Sequence, residues 1–118
     1  MSHIFFDAET TGFLPDGRVT CLVTNHKDRS KVWATRDGNG AYALMDYGCI
    51  AELVTFMETE GDGGRAVVSY NGSSFDFQML CNQTADAALK RRIETLARNH
   101  IDLHLVCIRA RGHRMKMD

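Results

Sequence analysis

The stretch Ile4-Phe5-Phe6-Asp7-Ala8-Glu9-Thr10-Thr11-Gly12 limits what this chain can become. Ile4, Phe5 and Phe6 form an apolar run that reads as a buried strand, and Thr10-Thr11-Gly12 reads as the turn that ends it. Successive side chains on a strand alternate faces, so Asp7 and Glu9 share one, about 6–7 Å apart along the backbone. Carboxylates placed this way can converge on one cation. Mg²⁺ and Mn²⁺ prefer oxygen ligands and are typically held by one or two carboxylates plus substrate phosphate. The plainer alternative is a strand end whose two acids are merely solvated, and an isolated Asp-x-Glu is too short to separate the two readings.

The rest of the chain alternates strand and helix signals. A first strand is predicted from about Ser2 to Glu9, apolar on both faces and so covered on both sides. Arg18 to Asn25 reads as a second strand, with Val19, Cys21 and Val23 alternating against Arg18, Thr20 and Thr24. A short third strand, Lys31 to Thr35, follows the polar turn Lys27-Asp28-Arg29-Ser30, and connections this short imply antiparallel hairpins. Arg36 to Tyr42, with Asp37-Gly38-Asn39-Gly40, reads as a loop. A helix capped near Asp46 carries Ile50, Leu53, Val54 and Met57 on one face and stops at Gly61. Arg65 to Tyr70 is a fourth, buried strand, reached by a crossover that can set it parallel to the first. Ser73 or Ser74 is placed to cap a helix bearing Phe75, Phe77, Met79 and Leu80, with Asp76 in its first turn. A further helix spans about Thr84 to Arg98, with Leu89, Ile93 and Leu96 inward and Lys90, Arg91, Arg92 and Arg98 mostly outward. A short fifth strand at His100–Leu103 and a last helical face of Leu103, Val106, Cys107 and Ala110 complete the pattern.

At 118 residues the chain has room for one small domain. No apolar run approaches the ~18–20 residues of a membrane span, and no signal peptide precedes the first strand. Cys21, Cys49, Cys81 and Cys107 are widely spaced, which argues against a zinc site or a disulfide framework and for reduced thiols in the cytoplasm. The net charge of −1 gives no support to a protein that holds nucleic acid by phosphate neutralisation alone. It leaves room for an enzyme that grips a strand end through bound metal ions.

Phe6-Asp7-Ala8-Glu9-Thr10-Thr11-Gly12 resembles the first motif of the DEDD (DnaQ-like) 3′–5′ exonuclease superfamily, and Asn71-Gly72-Ser73-Ser74-Phe75-Asp76 resembles its second. The resemblance covers roughly residues 3–110 and implies a ribonuclease-H-like α/β fold. Its mixed sheet would have about five strands, the first three antiparallel, flanked by helices, with the first and fourth adjacent and parallel. It implies a metal-dependent exonuclease, such as a polymerase proofreading domain, using two Mg²⁺ or Mn²⁺ ions on a single-stranded 3′ end, DNA favoured over RNA. Asp7 would bridge both ions, Glu9 would hold the ion that activates water, and Asp76 would help hold the ion on the leaving-group side. Thr10, Thr11 and Gly12 would offer backbone N–H groups and a hydroxyl to the terminal nucleotide. Asn71 and Phe75 would line the strand path, although Asn71 serves equally well as a residue that holds its turn.

The family uses four carboxylates and a His or Tyr in a third motif, for which no counterpart is found. The chain is therefore expected to be one domain, residues 1–118, lacking its C-terminal part. Asp102 is read as structural or peripheral, and His100 with His104 is not read as a metal pair. The competing reading is a non-catalytic nucleic-acid-binding or partner-docking module that retains the fold.

Overall fold

A computed structural model describes residues 2–12, 16–70, 75–104, 106 and 107. In chain order the elements are β1 (Ile4–Thr10), β2 (Val19–His26), β3 (Arg29–Arg36), β4 (Tyr42–Ala43), α1 (Tyr47–Glu60), β5 (Val67–Ser69), α2 (Asp76–Asn82), α3 (Ala87–Asn99) and β6 (Ile101–Asp102). The strands form one mixed sheet in the order β4-β3-β2-β1-β5-β6. β1 to β4 pair antiparallel in succession. After the crossover through α1, β5 returns parallel to β1, and β6 lies parallel to β5. This is the expected α/β arrangement, with six strands among the described residues rather than about five.

The extra strand is β4, which begins at Tyr42, the last residue of a stretch whose glycines suggested only a loop. Asp37 closes that turn: its Oδ1 accepts from the N–H groups of Asn39 (2.8 Å) and Ala41 (3.1 Å). Asp37 N–H donates to the Ala41 carbonyl at 2.8 Å, so the chain reverses and pairs again with β3.

The helices pack on the sheet face that presents Ile4, Phe6, Leu22 and Trp33. α1 begins where Asp46 Oδ1 accepts from Cys49 N–H at 2.9 Å and buries Ile50, Leu53, Val54 and Met57, the predicted face. α3 buries Leu89, Ile93 and Leu96, again as predicted. Arg92 is not merely outward. Its Nη2 lies 2.6 Å from Glu58 Oε1 and its Nε 3.1 Å from Oε2, a two-pronged clasp between α3 and α1.

Two expectations about the strands fail for local reasons. β1 is not covered on both sides, for Phe5 is 51% exposed while Ile4 and Phe6 are buried. β2 does not alternate uniformly. A bulge falls where Glu9 pairs Cys21 but Thr10 pairs Val19, so Thr20 has no opposite number. The phase flips across it: Val19 is buried, and so are Leu22 and Thr24, while Cys21 and Val23 are only partly covered. Thr24 stands in the core because its Oγ1 accepts from the Trp33 indole N–H at 3.0 Å.

Gln83, just past α2, secures the same strand. Its Oε1 accepts from Val19 N–H (2.6 Å), and its Nε2 donates to the carbonyls of Val19 (2.8 Å) and Met45 (2.9 Å). One side chain thus completes the backbone pairing of a fully buried residue.

Candidate active site

The C-terminal ends of the parallel strands β1, β5 and β6 lie side by side, and the N-terminus of α2 comes to meet them. Open α/β sheets generally bind ligands at such an edge. β1 and β5 pair only through Ile4↔Val67 and Phe5↔Val68. Beyond that point the Ala8 N–H has no partner on β5 and donates instead to the carboxylate of Asp76. The second acidic block is thereby joined to the first.

Phe77 sets the position of α2. Its ring meets Phe6 of β1 edge-on at 5.1 Å between centroids and lies 4.6 Å from His100 on the other side. His100 is tied down in turn, with Nε2 2.9 Å from Ser69 Oγ and Nδ1 2.6 Å from the Ala97 carbonyl. Both its ring nitrogens are engaged with protein groups.

Asp76 is 6% exposed. Burial, then the nearby Asp7 carboxylate and, more weakly, that of Asp102, push its carboxyl up to about 7, against the downward pull of the Ala8 N–H. Asp7 and Glu9 share the exposed face of β1, as the alternation requires. Asp102, at the end of β6 beside Ser69, is 5% exposed and accepts from His104 N–H at 3.0 Å. Asp102, read from the sequence as structural or peripheral, lies near enough to Asp76 to raise its pKa. Only the parallel pairing of β5 with β6 brings it there.

Thr10, Thr11 and Gly12 form the turn after β1. Thr10 Oγ1 donates to the Gly12 carbonyl (3.0 Å). Thr11 N–H donates to the Arg18 carbonyl (2.9 Å), and Thr11 Oγ1 accepts from Arg18 N–H (3.0 Å). The Thr11 N–H and the Thr10 hydroxyl are therefore committed within the turn. Gly17 closes it from the other side, where a Cβ would lie 2.4 Å from the Gly12 oxygen. Phe75 is half-buried at the N-cap of α2, with its side chain packed on the core and no side-chain capping bond. Asn71, and the Ser73 or Ser74 expected to cap α2, lie outside the described residues. Leu103 and Val106, read as part of a last short helical face, are 41% and 51% exposed.

The donors gathered here are carboxylate oxygens, the chemistry of a hard divalent cation. Among the described residues no three His, Cys, Asp or Glu side chains stand close enough to hold one ion. Asp7 and Asp76 nevertheless suit such an ion as a pair, since Mg²⁺ is usually bound through one or two carboxylates with the rest of its shell from water and phosphate. The mutual repulsion of that pair is what a cation would relieve.

A mixed sheet with acids collected at the ends of its parallel strands has the architecture of a nuclease-type α/β domain. Residues 4–117 match the RNase_H_2 family model of the RNase_H superfamily, and the chain belongs to that superfamily. Compared with curated proteins, it has no match. Membership points to a nuclease-like hydrolase that binds nucleic acid, and ribonuclease-H-like nucleases generally use divalent metal ions. No helix among the described residues is long and apolar enough to cross a membrane.

Proposed function

We propose that this domain is a metal-dependent 3′–5′ exonuclease that removes nucleotides from single-stranded ends, in the manner of a polymerase proofreading domain. The observation that carries the proposal is the union of the two acidic blocks: Asp76 is buried against β1, hydrogen-bonded to Ala8 between Asp7 and Glu9, and electrostatically coupled to Asp7. Asp7 and Asp76 would hold the Mg²⁺ or Mn²⁺ ions, with Glu9, on the same exposed face of β1 as Asp7, as a further ligand. When bound, two such ions activate water and stabilise the leaving 3′ oxygen. The chain's own contribution begins with a proton. With its carboxyl raised to about 7, Asp76 is partly protonated at neutral pH in the ion-free site, and a bound cation would favour its ionised form. Among the described residues nothing lies within 4 Å of where a Cβ on Gly12 would sit, which leaves room for a terminal nucleotide to approach the Thr11 hydroxyl.

The test is release of label from 3′-labelled single strands, DNA and RNA in parallel, with Mg²⁺, with Mn²⁺ and with chelator. Metal-dependent release of mononucleotides that falls at least a hundredfold in Asp7→Asn and Asp76→Asn supports the proposal (about 10²-fold or more is usual for a group acting in the transition state). Equal release by Asp7→Asn refutes the site, and internal fragments refute the end specificity. The absence of a closed three-ligand group among the described residues favours a second reading, a nucleic-acid-end binding module without turnover. Strand-end binding that is equal with and without Mn²⁺, with no cleavage, would select it.

A further inference from the structure

Away from the carboxylates, the β2–β3 hairpin and α1 enclose an open cavity of about 700 Å³. It lies on the helix-covered face of the sheet, whereas Asp7 points to the opposite face with its cross-strand partners Val23 and Val32. Its wall is aromatic. His26 meets Phe56 edge-on at 5.9 Å; Trp33, buried behind the lining, lies 5.3 Å from Phe56. Its rim is basic, formed by Lys27, Arg29 and Lys31, with Glu60 as the one acid lining it. Lys31 Nζ sits 3.8 Å above the Trp33 ring. Among the described residues neither Lys27 nor Arg29 forms an ion pair. The turn that carries them holds Lys27 and Asp28 at φ of 51° and 62°, the left-handed region that glycine or asparagine normally supplies. A protein of net charge −1 thus concentrates three cations around an aromatic wall.

We propose that this groove binds the sugar-phosphate backbone of single-stranded nucleic acid, as a second contact outside the carboxylate site. Cations following a strand's phosphates, with aromatic rings against which bases rest, are the two elements of sequence-tolerant single-strand binding. The choice of occupant rests on the nuclease reading above. The groove itself needs no metal ion.

The experiment measures binding of fluorescein-labelled oligo-dT and oligo-U by anisotropy over a salt series, in chelator. It uses the full chain, the variant Lys27→Gln/Arg29→Gln, and a control, Arg91→Gln/Arg98→Gln, that removes the same charge from exposed positions on α3. Lys31 is left in place because it packs on Trp33. The groove variant should bind about tenfold or more weakly, and its slope of log K against log salt should fall by about 1.4, at about 0.7 for each phosphate contact on a single strand. The control should stay near the parent. Equal effects in both variants, no effect in either, or no binding by the parent overturns the proposal. A preference for oligo-U would identify RNA as the occupant, and equal binding would mean that the backbone alone is read. Because binding is read in chelator and cleavage in metal, loss of the carboxylate reading leaves this result standing, and the reverse also holds.

Discussion

Replacing Asp76 with Asn in ion-free protein tests the electrostatics of the site without any substrate. Burial and the Asp7 charge raise the folded-state carboxyl from 3.8 to about 7. Between these values the folded protein binds a proton that the unfolded chain releases. The stabilising contribution of protonated Asp76 is therefore complete below about pH 4 and is lost as pH rises through about 7. Each pKa unit corresponds to about 1.4 kcal/mol, so ionised Asp76 weakens the fold by at most about 4 kcal/mol at about pH 8. Asn cannot ionise, and its amide oxygen can still accept from Ala8. The variant should then match the parent at about pH 4 and exceed it by about 2–4 kcal/mol at about pH 8. Urea unfolding in chelator at the two pH values reads this directly. Mg²⁺ added at the higher pH should restore stability to the parent and give the variant much less. A variant weaker than the parent at both pH values, or a gap that does not grow with pH, would refute the reasoning.

Gln83→Ala removes three hydrogen bonds and takes the partner from the N–H of fully buried Val19, whose carbonyl still accepts from Met45 N–H at 3.1 Å. A loss of about 2–4 kcal/mol is expected, seen as a fall in melting temperature of about 10 °C, and a loss below about 1 kcal/mol would contradict it. Thr24→Val keeps the shape but strands the Trp33 indole N–H, and should cost about 1–3 kcal/mol in chemical denaturation, with Thr24→Ser close to the parent. Gly17→Ala would drive a methyl group into the Gly12 carbonyl. It should lower stability by about 1–3 kcal/mol in a thermal melt.

The sequence is most legible where one local signal decides the structure. Asp46, the spacing of Ile50, Leu53, Val54 and Met57, and Gly61 together define α1 without help from the rest of the fold. The crossover between β1 and β5 permits their parallel pairing, and the family resemblance implies it. What escapes are features that exist only between elements. The bulge at Thr20 breaks the alternation of β2 because its cause lies in the pairing with β1. Thr24 looks like a surface residue until the Trp33 indole is placed above it. Asp7 and Glu9 announce themselves by spacing, and Asp76 by its context. Asp102 is separated from Asp76 by the whole of α3, and nothing in its neighbours shows that β6 will set it there.

The sheet joins two kinds of pairing, and they are not formed with equal ease. β1, β2 and β3 make long ladders between chain neighbours, whereas β5 holds β1 through Ile4↔Val67 and Phe5↔Val68, across more than half the chain. Contacts between distant residues close large loops and come late in folding, after local hairpins are available to receive them. The carboxylates span that seam: Asp7 belongs to the hairpins, Asp76 and Asp102 to the part that docks onto them. Groups that repel one another are thus brought together only once a rigid surface exists to hold them. With its short register, that seam is a joint whose opening native-state hydrogen exchange can follow, so protection along it reports on the integrity of the acidic cluster.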